Sequence, residues 1–427
     1  MLQSDSSLKE QDLDSLRRAC TDGNGAAMYR LALALFALDD ITEAFEWQRR
    51  AAETGYIDAQ IYYARMLLYG IVAAAEPGQA VEWLLRAEAA GSAVASYYLA
   101  LIALGDVAVP RDHRINQRLH AAVQAGYPPA LRAAAIHFGR KPHAGDQALC
   151  LQLLDQAARA GDAAAAALLA ERLAQGEGIA QDVAAADGIR SQLAAGGARP
   201  LPAFRAIVPS QAASIPRQLA MEDALQACPA QLLASAPRVS VVDGLLSADE
   251  CRLLIASAQP ALRESRTIDP DTGLPIAMPI RTSSDASLDP IMEDLALRSV
   301  QLRMATAAGI DLTHAEHLTV LRYAPGQQYR PHRDYLPPGT LERDRPQAGN
   351  RVRTICVYLN AVEAGGETEF PIAGVRVAPL PGRAIVFDNL LADGSPDLDS
   401  LHAGLPVERG EKWLATLWIR ERPYRDF

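Results

Sequence analysis

The hydrophobic pattern changes its period near the middle of the chain. Over about residues 12–197, apolar positions recur with helical spacing, and an Ala-rich segment ending in glycine returns at intervals of 36, 35, 35 and 35 residues. These segments end at Gly55, Gly91, Gly126, Gly161 and Gly196. A second series lies between them, at Gly70, Gly105, Gly139 and Gly176. Two glycines per period, each after an apolar run, predict the ends of paired helices in a repeated helix–turn–helix.

This first half resembles tetratricopeptide-like repeats of the Sel-one-like type. The resemblance predicts an all-α solenoid over residues 1–197, in which each unit buries its apolar face against its neighbours. At least one tyrosine of each pair, Tyr62–Tyr63 and Tyr97–Tyr98, is expected in the core. Two interpretations stay open, namely a scaffold without a ligand and a surface that holds a protein partner or substrate.

Residues 198–237 break the repeat with six prolines, which predicts an interdomain linker with one short helix near residues 218–227. From residue 238 the pattern shifts to short runs typical of strands, separated by Gly, Pro and Asp turns. The sequence Ser247-Ala-Asp-Glu250 predicts a capping box that opens a helix to about residue 261, and a second helix is expected over residues 290–308. The remaining runs predict strands near residues 239–242, 318–323, 354–359, 375–378, 383–387, 402–407 and 413–420. Helices followed by many antiparallel strands predict a jelly-roll barrel braced by helices over residues 238–427, so the fold class is α+β multidomain.

Composition narrows the classes of function. The 427 residues carry a net charge of −10, which argues against a dedicated nucleic-acid or anionic-membrane binder. The five cysteines are far apart and form no metal-binding or disulfide pattern, as expected in a reducing compartment. The first residues lack the basic and apolar regions of a signal peptide, and no run is long enough to span a bilayer. We therefore expect a cytoplasmic protein without a membrane partner.

The candidate chemistry lies in the second half. His332 and Asp334 are two residues apart, so in an extended segment both side chains point to the same face. His402 follows in a predicted strand and could supply a third ligand. Two imidazoles and one carboxylate on one side of a metal leave the opposite positions open, as non-haem Fe(II) oxygenases require. Lys412, one strand later, could pair with the distal carboxylate of a bound oxo-acid.

A second tripeptide of the same form, His314-Ala-Glu316, has no following set of ligands. About one such match is expected by chance in a chain of this composition. We therefore interpret these two residues as part of a surface turn.

Residues 238–427 resemble the 2-oxoglutarate- and Fe(II)-dependent dioxygenases of the prolyl 4-hydroxylase type, whose fold is a double-stranded β-helix. The matching segments, in chain order, are residues 281–283, 322–327, 329–334, 351–360, 365–371, 381–387, 402–407 and 410–420. The resemblance implies that His332, Asp334 and His402 hold Fe(II) and that Lys412 binds the 5-carboxylate of 2-oxoglutarate. It further implies that Thr354 supports that carboxylate, that Tyr323 contacts the co-substrate and that Trp418 lines the pocket. O₂ would be the second co-substrate, and ascorbate is a candidate further ligand.

The substrate follows less directly from the sequence. Asp334 supplies the carboxylate that a halogenase lacks, so hydroxylation is favoured over halogenation. The attached repeats favour a protein or peptide target, most simply hydroxylated at proline. The alternatives are a dioxygenase acting on a free amino acid or other small molecule, and a non-catalytic repeat scaffold or oxygen sensor. The sequence leaves the oligomeric state undetermined.

Overall fold

The structure is a computed structural model that describes residues 13–20, 23–203, 218–265 and 281–427, together with the backbone of one short strand pair between residues 267 and 276. It divides into two compact units. The first comprises Met1–Tyr127 with Asp426–Phe427, and the second comprises Pro128–Arg425. The second unit therefore holds the later repeats as well as all the strands.

The described part of the first unit is built from helices that pack on their neighbours along the chain. Their bounds are α1 (residues 13–19), α2 (Gly25–Ala37), α3 (Ile41–Glu53), α4 (Ile57–Tyr69), α5 (Pro77–Ala89), α6 (Ala93–Ala103) and α7 (Arg114–Gln124). Gly55, Gly91 and Gly126 end helical segments with φ between +72° and +91°, a left-handed conformation that favours glycine. Tyr63 and Tyr97 are buried, as predicted.

The repeat continues in the second unit as α8 (Pro128–Gly139), α9 (Ala144–Arg159), α10 (Ala163–Gln175) and α11 (Val183–Ala195). The glycine pattern holds at Gly161 and Gly176, with φ of +91° and +71°. In the last repeat the left-handed position is taken by Gly197 rather than Gly196. The predicted helical repeat solenoid is thereby confirmed.

The remainder of the second unit contains two helices and the strands. The helices are α12 (Ala248–Ala258) and α13 (Leu295–Ala307). The strands are β1 (Gln231–Ser235), β2 (Arg238–Val242), β3 (Arg263–Glu264), β4 (Thr267–Ile268), β5 (Pro275–Ile276), β6 (Ser284–Ser287), β7 (Thr319–Tyr323), β8 (Tyr329–His332), β9 (Arg351–Tyr358), β10 (Ala364–Gly365), β11 (Thr368–Phe370), β12 (Val375–Val377), β13 (Ala384–Asp388), β14 (His402–Gly404), β15 (Val407–Arg409) and β16 (Lys412–Arg420).

Two antiparallel sheets enclose the core of this domain. The larger sheet has the strand order β1-β2-β13-β9-β16-β7-β6-β3, and the smaller sheet has the order β12-β11-β14-β8. Alternate residues of β9 and β16 point between the sheets, where Cys356, Tyr358 and Leu414 pack with Phe370 and Phe387. Strands that cross repeatedly between two facing sheets form the predicted double-stranded β-helix.

The local predictions for this half hold in most places. Ser247 and Glu250 form the capping box of α12, with both reciprocal hydrogen bonds present. Residues 204–217 of the predicted linker lie outside the described residues, and the helix expected near residues 218–227 is a short 3₁₀ helix at Met221–Leu225. Strand β1 was not predicted, because it lies in the Pro-rich stretch and is half of a hairpin with β2. The strands β3–β6, β8, β10, β11 and β15, each of two to four residues, were not predicted either.

The helices α8 and α10 also pack against α12 and α13, so the later repeats and the oxygenase-like domain share one unit. The boundaries at 197 and 237 remain a prediction from the sequence. Among the described residues, none of the helices combines the length and apolar character that a membrane span requires.

Candidate active site

Two neighbouring strands of the smaller sheet bring the predicted histidines together. β8 and β14 are antiparallel, and their register places His332 directly opposite His402. Such cross-strand neighbours have side chains on the same face of the sheet. The imidazole centroids lie 4.3 Å apart, and the ring of Tyr329 stacks on His332 at 3.4 Å.

The backbone sets which nitrogen of each histidine faces the site. Nδ1 of His332 lies 2.8 Å from the carbonyl oxygen of Arg330, and Nδ1 of His402 lies 3.0 Å from that of Ser400. A carbonyl oxygen can only accept, so each Nδ1 carries the proton and each Nε2 keeps a free lone pair. Burial lowers the pKa of His332 to about 3, which favours the neutral imidazole that binds metals.

Asp334 completes the cluster. Its Oδ1 lies 3.6 Å from Nε2 of His332, and its Oδ2 lies 3.8 Å from Nε2 of His402. Burial opposes ionisation of this carboxyl, but the histidine side chains, Arg351 and the hydrogen bond from the Thr354 hydroxyl together outweigh burial, so the pKa of Asp334 lies below its ordinary value. One ligand atom from each of the three residues falls within 4.8 Å of the others. In the part of the chain that the structure describes, no other group of metal-ligating residues meets this geometry.

Lys412 reaches the same pocket from the larger sheet. It lies opposite Tyr323 in the pairing of β16 with β7, and only 1% of it is exposed. Its ammonium rests 5.2 Å from the Tyr323 ring and 5.3 Å from the Tyr358 ring, and no carboxylate of the described residues pairs with it. Burial lowers the pKa of Lys412 to about 8.

Several polar atoms of the pocket have no hydrogen-bond partner among the described residues. They include Nη2 of Arg281, whose guanidinium lies 5.3 Å from the Tyr329 ring, and Nε1 of Trp418. A polar ligand bound in this pocket would supply acceptors to these two donors. The three metal-ligating groups, the cation of Lys412 and these donors together fit Fe(II) with an oxo-dicarboxylate.

The structure places six of the seven predicted site residues on the pocket wall. They are Tyr323, His332, Asp334, His402, Lys412 and Trp418. The seventh, Thr354, is fully buried behind Asp334, and its hydroxyl donates to Oδ2 of that residue at 2.9 Å. Thr368 lines the wall instead.

Sequence reasoning missed Tyr329, Thr368 and Cys356 as residues of the wall. The alternation along each strand contained the signal for two of them. Thr368 is two residues from Phe370, and Cys356 is two residues from Tyr358, so each shares the inward face of its strand with a core aromatic residue.

The prediction that His314 and Glu316 belong to a surface turn is wrong for Glu316. This residue is 7% exposed, and its carboxylate accepts two hydrogen bonds from Arg351, each of 2.7 Å. It also lies 2.8 Å from Nε of the buried Arg420. Both arginines come from strands distant in sequence, so local spacing could not reveal this pairing.

Comparison with known proteins agrees with the geometry. Residues 318–420 match the family described as the 2OG-Fe(II) oxygenase superfamily. The chain is 34% identical over 214 residues to the probable prolyl 4-hydroxylase 10 of Arabidopsis thaliana, covering 46% of this chain and 73% of the relative. It is 34% identical to prolyl 4-hydroxylase 1 of the same plant, covering 45% of this chain and 72% of the relative.

Two solved structures resemble separate parts of the chain. The 2OG complex of the viral collagen prolyl hydroxylase from Paramecium Bursaria Chlorella virus-1 is 29% identical, with a TM-score of 0.34, and covers 43% of this chain and 95% of its own. A Sel1 repeat protein from Oxalobacter formigenes is 21% identical, with a TM-score of 0.36, and covers 41% of this chain and 74% of its own. At these scores the fold assignment rests on the topology described above.

Proposed function

Because this chain belongs to the prolyl 4-hydroxylase family of 2-oxoglutarate- and Fe(II)-dependent oxygenases, we propose that it hydroxylates proline residues of a protein or peptide. The observation that carries the proposal is the convergence in one pocket of His332, Asp334 and His402 with Lys412, whose cation has no ion-pair partner among the described residues. Bound Fe(II) with 2-oxoglutarate and O₂ supplies oxidation of a C–H bond to an alcohol, with succinate and CO₂ as the other products.

The residues of the chain have separate tasks in this reaction. The Nε2 atoms of His332 and His402 and a carboxylate oxygen of Asp334 would hold the metal and leave its other positions to the co-substrates. Lys412 would neutralise the distal carboxylate of 2-oxoglutarate inside a buried pocket, where a charge pair is stronger than in water. The apolar side chains of Leu321 and Leu414 on the pocket wall would help to exclude water from the reacting atoms.

The attached repeat helices favour a protein or peptide over a free amino acid, because a small molecule does not need a second binding surface. We further propose that the repeats recruit the protein target. The predicted cytoplasmic location and the binding of ascorbate stay predictions.

The test uses purified protein with Fe(II), 2-oxoglutarate and O₂, followed by succinate release and by the mass of added substrates. We expect proline-containing peptides to gain one oxygen atom and to raise succinate release above the level without peptide. His332→Ala should abolish both signals. Hydroxylated free proline with unchanged peptides would instead favour the small-molecule alternative. Absence of both Fe(II) binding and succinate would leave the scaffold or sensor alternative.

The recruiting role of the repeats has its own test. A His332→Ala variant that still folds can be used to capture protein targets. The capture is done once with the surface of residues 1–127 free and once with that surface blocked by an antibody fragment. We expect capture to fall when that surface is blocked. Unchanged capture would show that the repeats within residues 1–127 do not select the target.

A further inference from the structure

A hydrogen-bonded chain of three buried side chains lies behind the metal-ligating cluster. The amide nitrogen Nδ2 of Asn389 lies 2.9 Å from the hydroxyl of Thr354, and that hydroxyl lies 2.9 Å from Oδ2 of Asp334. Asn389 and Thr354 have no exposed surface, and Asp334 is 7% exposed. Neither Asn389 nor Thr354 lies on the pocket wall, so neither contacts a ligand there.

The chemistry of the three groups fixes the direction of both hydrogen bonds. An ionised carboxylate only accepts, so the proton of the Thr354 hydroxyl must point to Asp334. The same hydroxyl oxygen must then accept its second hydrogen bond, and the amide nitrogen of Asn389 is the donor that supplies it. If the Asn389 amide were turned over, its oxygen would compete with Asp334 for the single hydroxyl proton.

Asn389 is held firmly enough to impose this direction. Its backbone nitrogen donates to the carbonyl oxygen of Val352, and its own carbonyl oxygen accepts from the backbone nitrogen of Asp397. Its side-chain oxygen Oδ1 is buried without a hydrogen-bond partner among the described residues. A buried oxygen without a hydrogen-bond donor lowers the stability of the fold. The amide is therefore costly to the fold, and a structural role alone accounts for it poorly.

We propose that Asn389 is a positioning residue for the metal-ligating carboxylate, acting through Thr354. The chain engages Oδ2 of Asp334 and leaves Oδ1, which faces Nε2 of His332, without a donor among the described residues. One engaged oxygen and one available oxygen favour a carboxylate that ligates through a single atom, so that positions on the metal remain for the co-substrates. This inference rests on the metal-binding role of Asp334 in the proposed function.

The test measures the affinity of the full chain for Mn²⁺ and, without oxygen, for Fe²⁺. Thr354→Val removes the hydroxyl at nearly constant volume and should weaken metal binding about 10–100-fold. Thr354→Ser keeps the hydroxyl and should bind metal within about 3-fold of the wild type. Thr319→Val, at a buried threonine that opens β7, is the matched control and should leave metal affinity unchanged.

The role of Asn389 is separated from that of Thr354 by a double-mutant cycle. Asn389→Leu should weaken metal binding on the order of 5-fold in the wild-type background and have no further effect in Thr354→Val. The visible absorption of the Fe²⁺ and 2-oxoglutarate complex should shift in both single variants, which a purely structural role would not predict. Asn389→Ala, which only removes atoms, gives the same readout if the leucine does not fit.

The outcomes distinguish this proposal from the proposed function. A wild-type protein that binds neither metal contradicts both. A wild-type protein that binds metal, with Asn389→Leu and Asn389→Ala binding equally well, overturns the positioning role alone. Equal losses from the Asn389 substitution in the wild type and in Thr354→Val would also overturn it, because Asn389 would then not act through Thr354.

Discussion

Two clusters of buried polar side chains in the second unit differ in whether their charges are paired. Between the repeats and α12, Arg172 donates to Asp249 at 2.9 Å, and Arg252 pairs with both Asp249 and Glu177. Gly139 leaves the space for this network, because a Cβ there would lie 2.6 Å from Nη2 of Arg172. Every charge of this docking network faces an opposite charge.

The metal pocket shows the reverse. Lys412 has no ion-pair partner among the described residues, and Nε1 of Trp418 lacks an acceptor there, whereas the guanidinium of Arg281 lies 3.8 Å from Asp285. Matched buried charges hold two surfaces in one arrangement, and removing one partner is strongly destabilising. Unmatched buried groups lower the stability of the free protein and are useful where a ligand supplies the missing partner. Charge matching thus separates a structural cluster from a functional one.

The largest expected effect comes from breaking the pocket. His332→Ala should reduce succinate release by at least about 10³-fold, because it removes one of three metal-ligating groups. The metal-free protein should lose only the packing of the imidazole against Tyr329, because removing a neutral ring leaves no buried charge without its counter-ion. Calorimetry and a succinate assay check both parts, and His113→Ala, at an exposed helix start, serves as the control. A strongly destabilised His332→Ala would show that the cluster is structural.

Lys412→Met should separate stability from binding. We expect affinity for 2-oxoglutarate to fall about 100-fold, because the carboxylate loses its counter-ion in a buried site. The metal-free protein should become more stable near pH 7 by about 1–3 kcal/mol, because an apolar side chain replaces a buried charge without a partner. Urea unfolding and co-substrate titration measure the two effects. A loss of stability on this substitution would contradict the comparison.

Breaking the docking network should do the opposite. Asp249→Leu removes the carboxylate that pairs with the buried Arg172 and leaves Arg252 with Glu177 alone, so it should lower the free energy of unfolding by about 3–5 kcal/mol. The affinity of the folded protein for 2-oxoglutarate should stay within about 2-fold, because no residue of this network lines the pocket. Arg172→Leu in the Asp249→Leu background should recover part of the loss. An additive further loss would show that the charges are not coupled.

The pH dependence of co-substrate binding tests whether Lys412 gains its missing counter-ion from the co-substrate. The pKa of Lys412 is lowered to about 8 by burial, so part of the population is neutral at that pH. A bound carboxylate favours the ammonium form, so binding at pH 8 should take up about half a proton, against nearly none at pH 6.5. The pKa of Lys412 is about 8 in the folded protein and 10.5 in its ordinary surroundings. Between these two pH values the unfolded chain binds more protons than the folded protein, so the free energy of unfolding rises with pH.

Calorimetric titrations in buffers of different ionisation enthalpy measure the proton uptake. The other titratable groups that act on Lys412 are Cys356 and Glu367, and burial raises the pKa of Cys356 to about 12, so its thiol stays neutral in this range. Proton uptake that persists unchanged in Lys412→Met would assign the effect to another group.

The smallest effect is expected at an exposed ion pair of the repeats. Arg159 and Asp155 lie one turn apart on α9, and the Arg159 side chain is 79% exposed. Arg159→Ala should change the free energy of unfolding by less than about 0.5 kcal/mol, because water and salt screen such pairs. A loss of stability comparable to that of Asp249→Leu would contradict the comparison. An exposed ion pair would then contribute as much to the free energy of unfolding as a buried one.

The sequence carried much of the fold and most of the site. The glycine period located the repeats because helix ends need a left-handed residue, which is a local requirement. The alternation along β16 brought Lys412 and Trp418 to one face, and the ordered motifs identified the three metal-ligating residues before any contact was known. Thr354 illustrates the limit, because its inward direction was readable but its depth behind Asp334 was not.

By itself, then, the sequence determined the repeat helices, the two helices and seven of the strands of the second half, and which chemical groups a metal and an oxo-acid would need. Only the tertiary structure decided which buried groups are matched. Arg172 and Asp249 are 77 residues apart, Glu316 and Arg351 are 35 apart, and Asn389 reaches Thr354 across 35 residues. The periodicity of the sequence determines which face of a helix or strand is buried. Which residues meet that face depends on how elements distant in sequence pack, and the free-energy cost of an unpaired buried charge favours packing that pairs opposite charges.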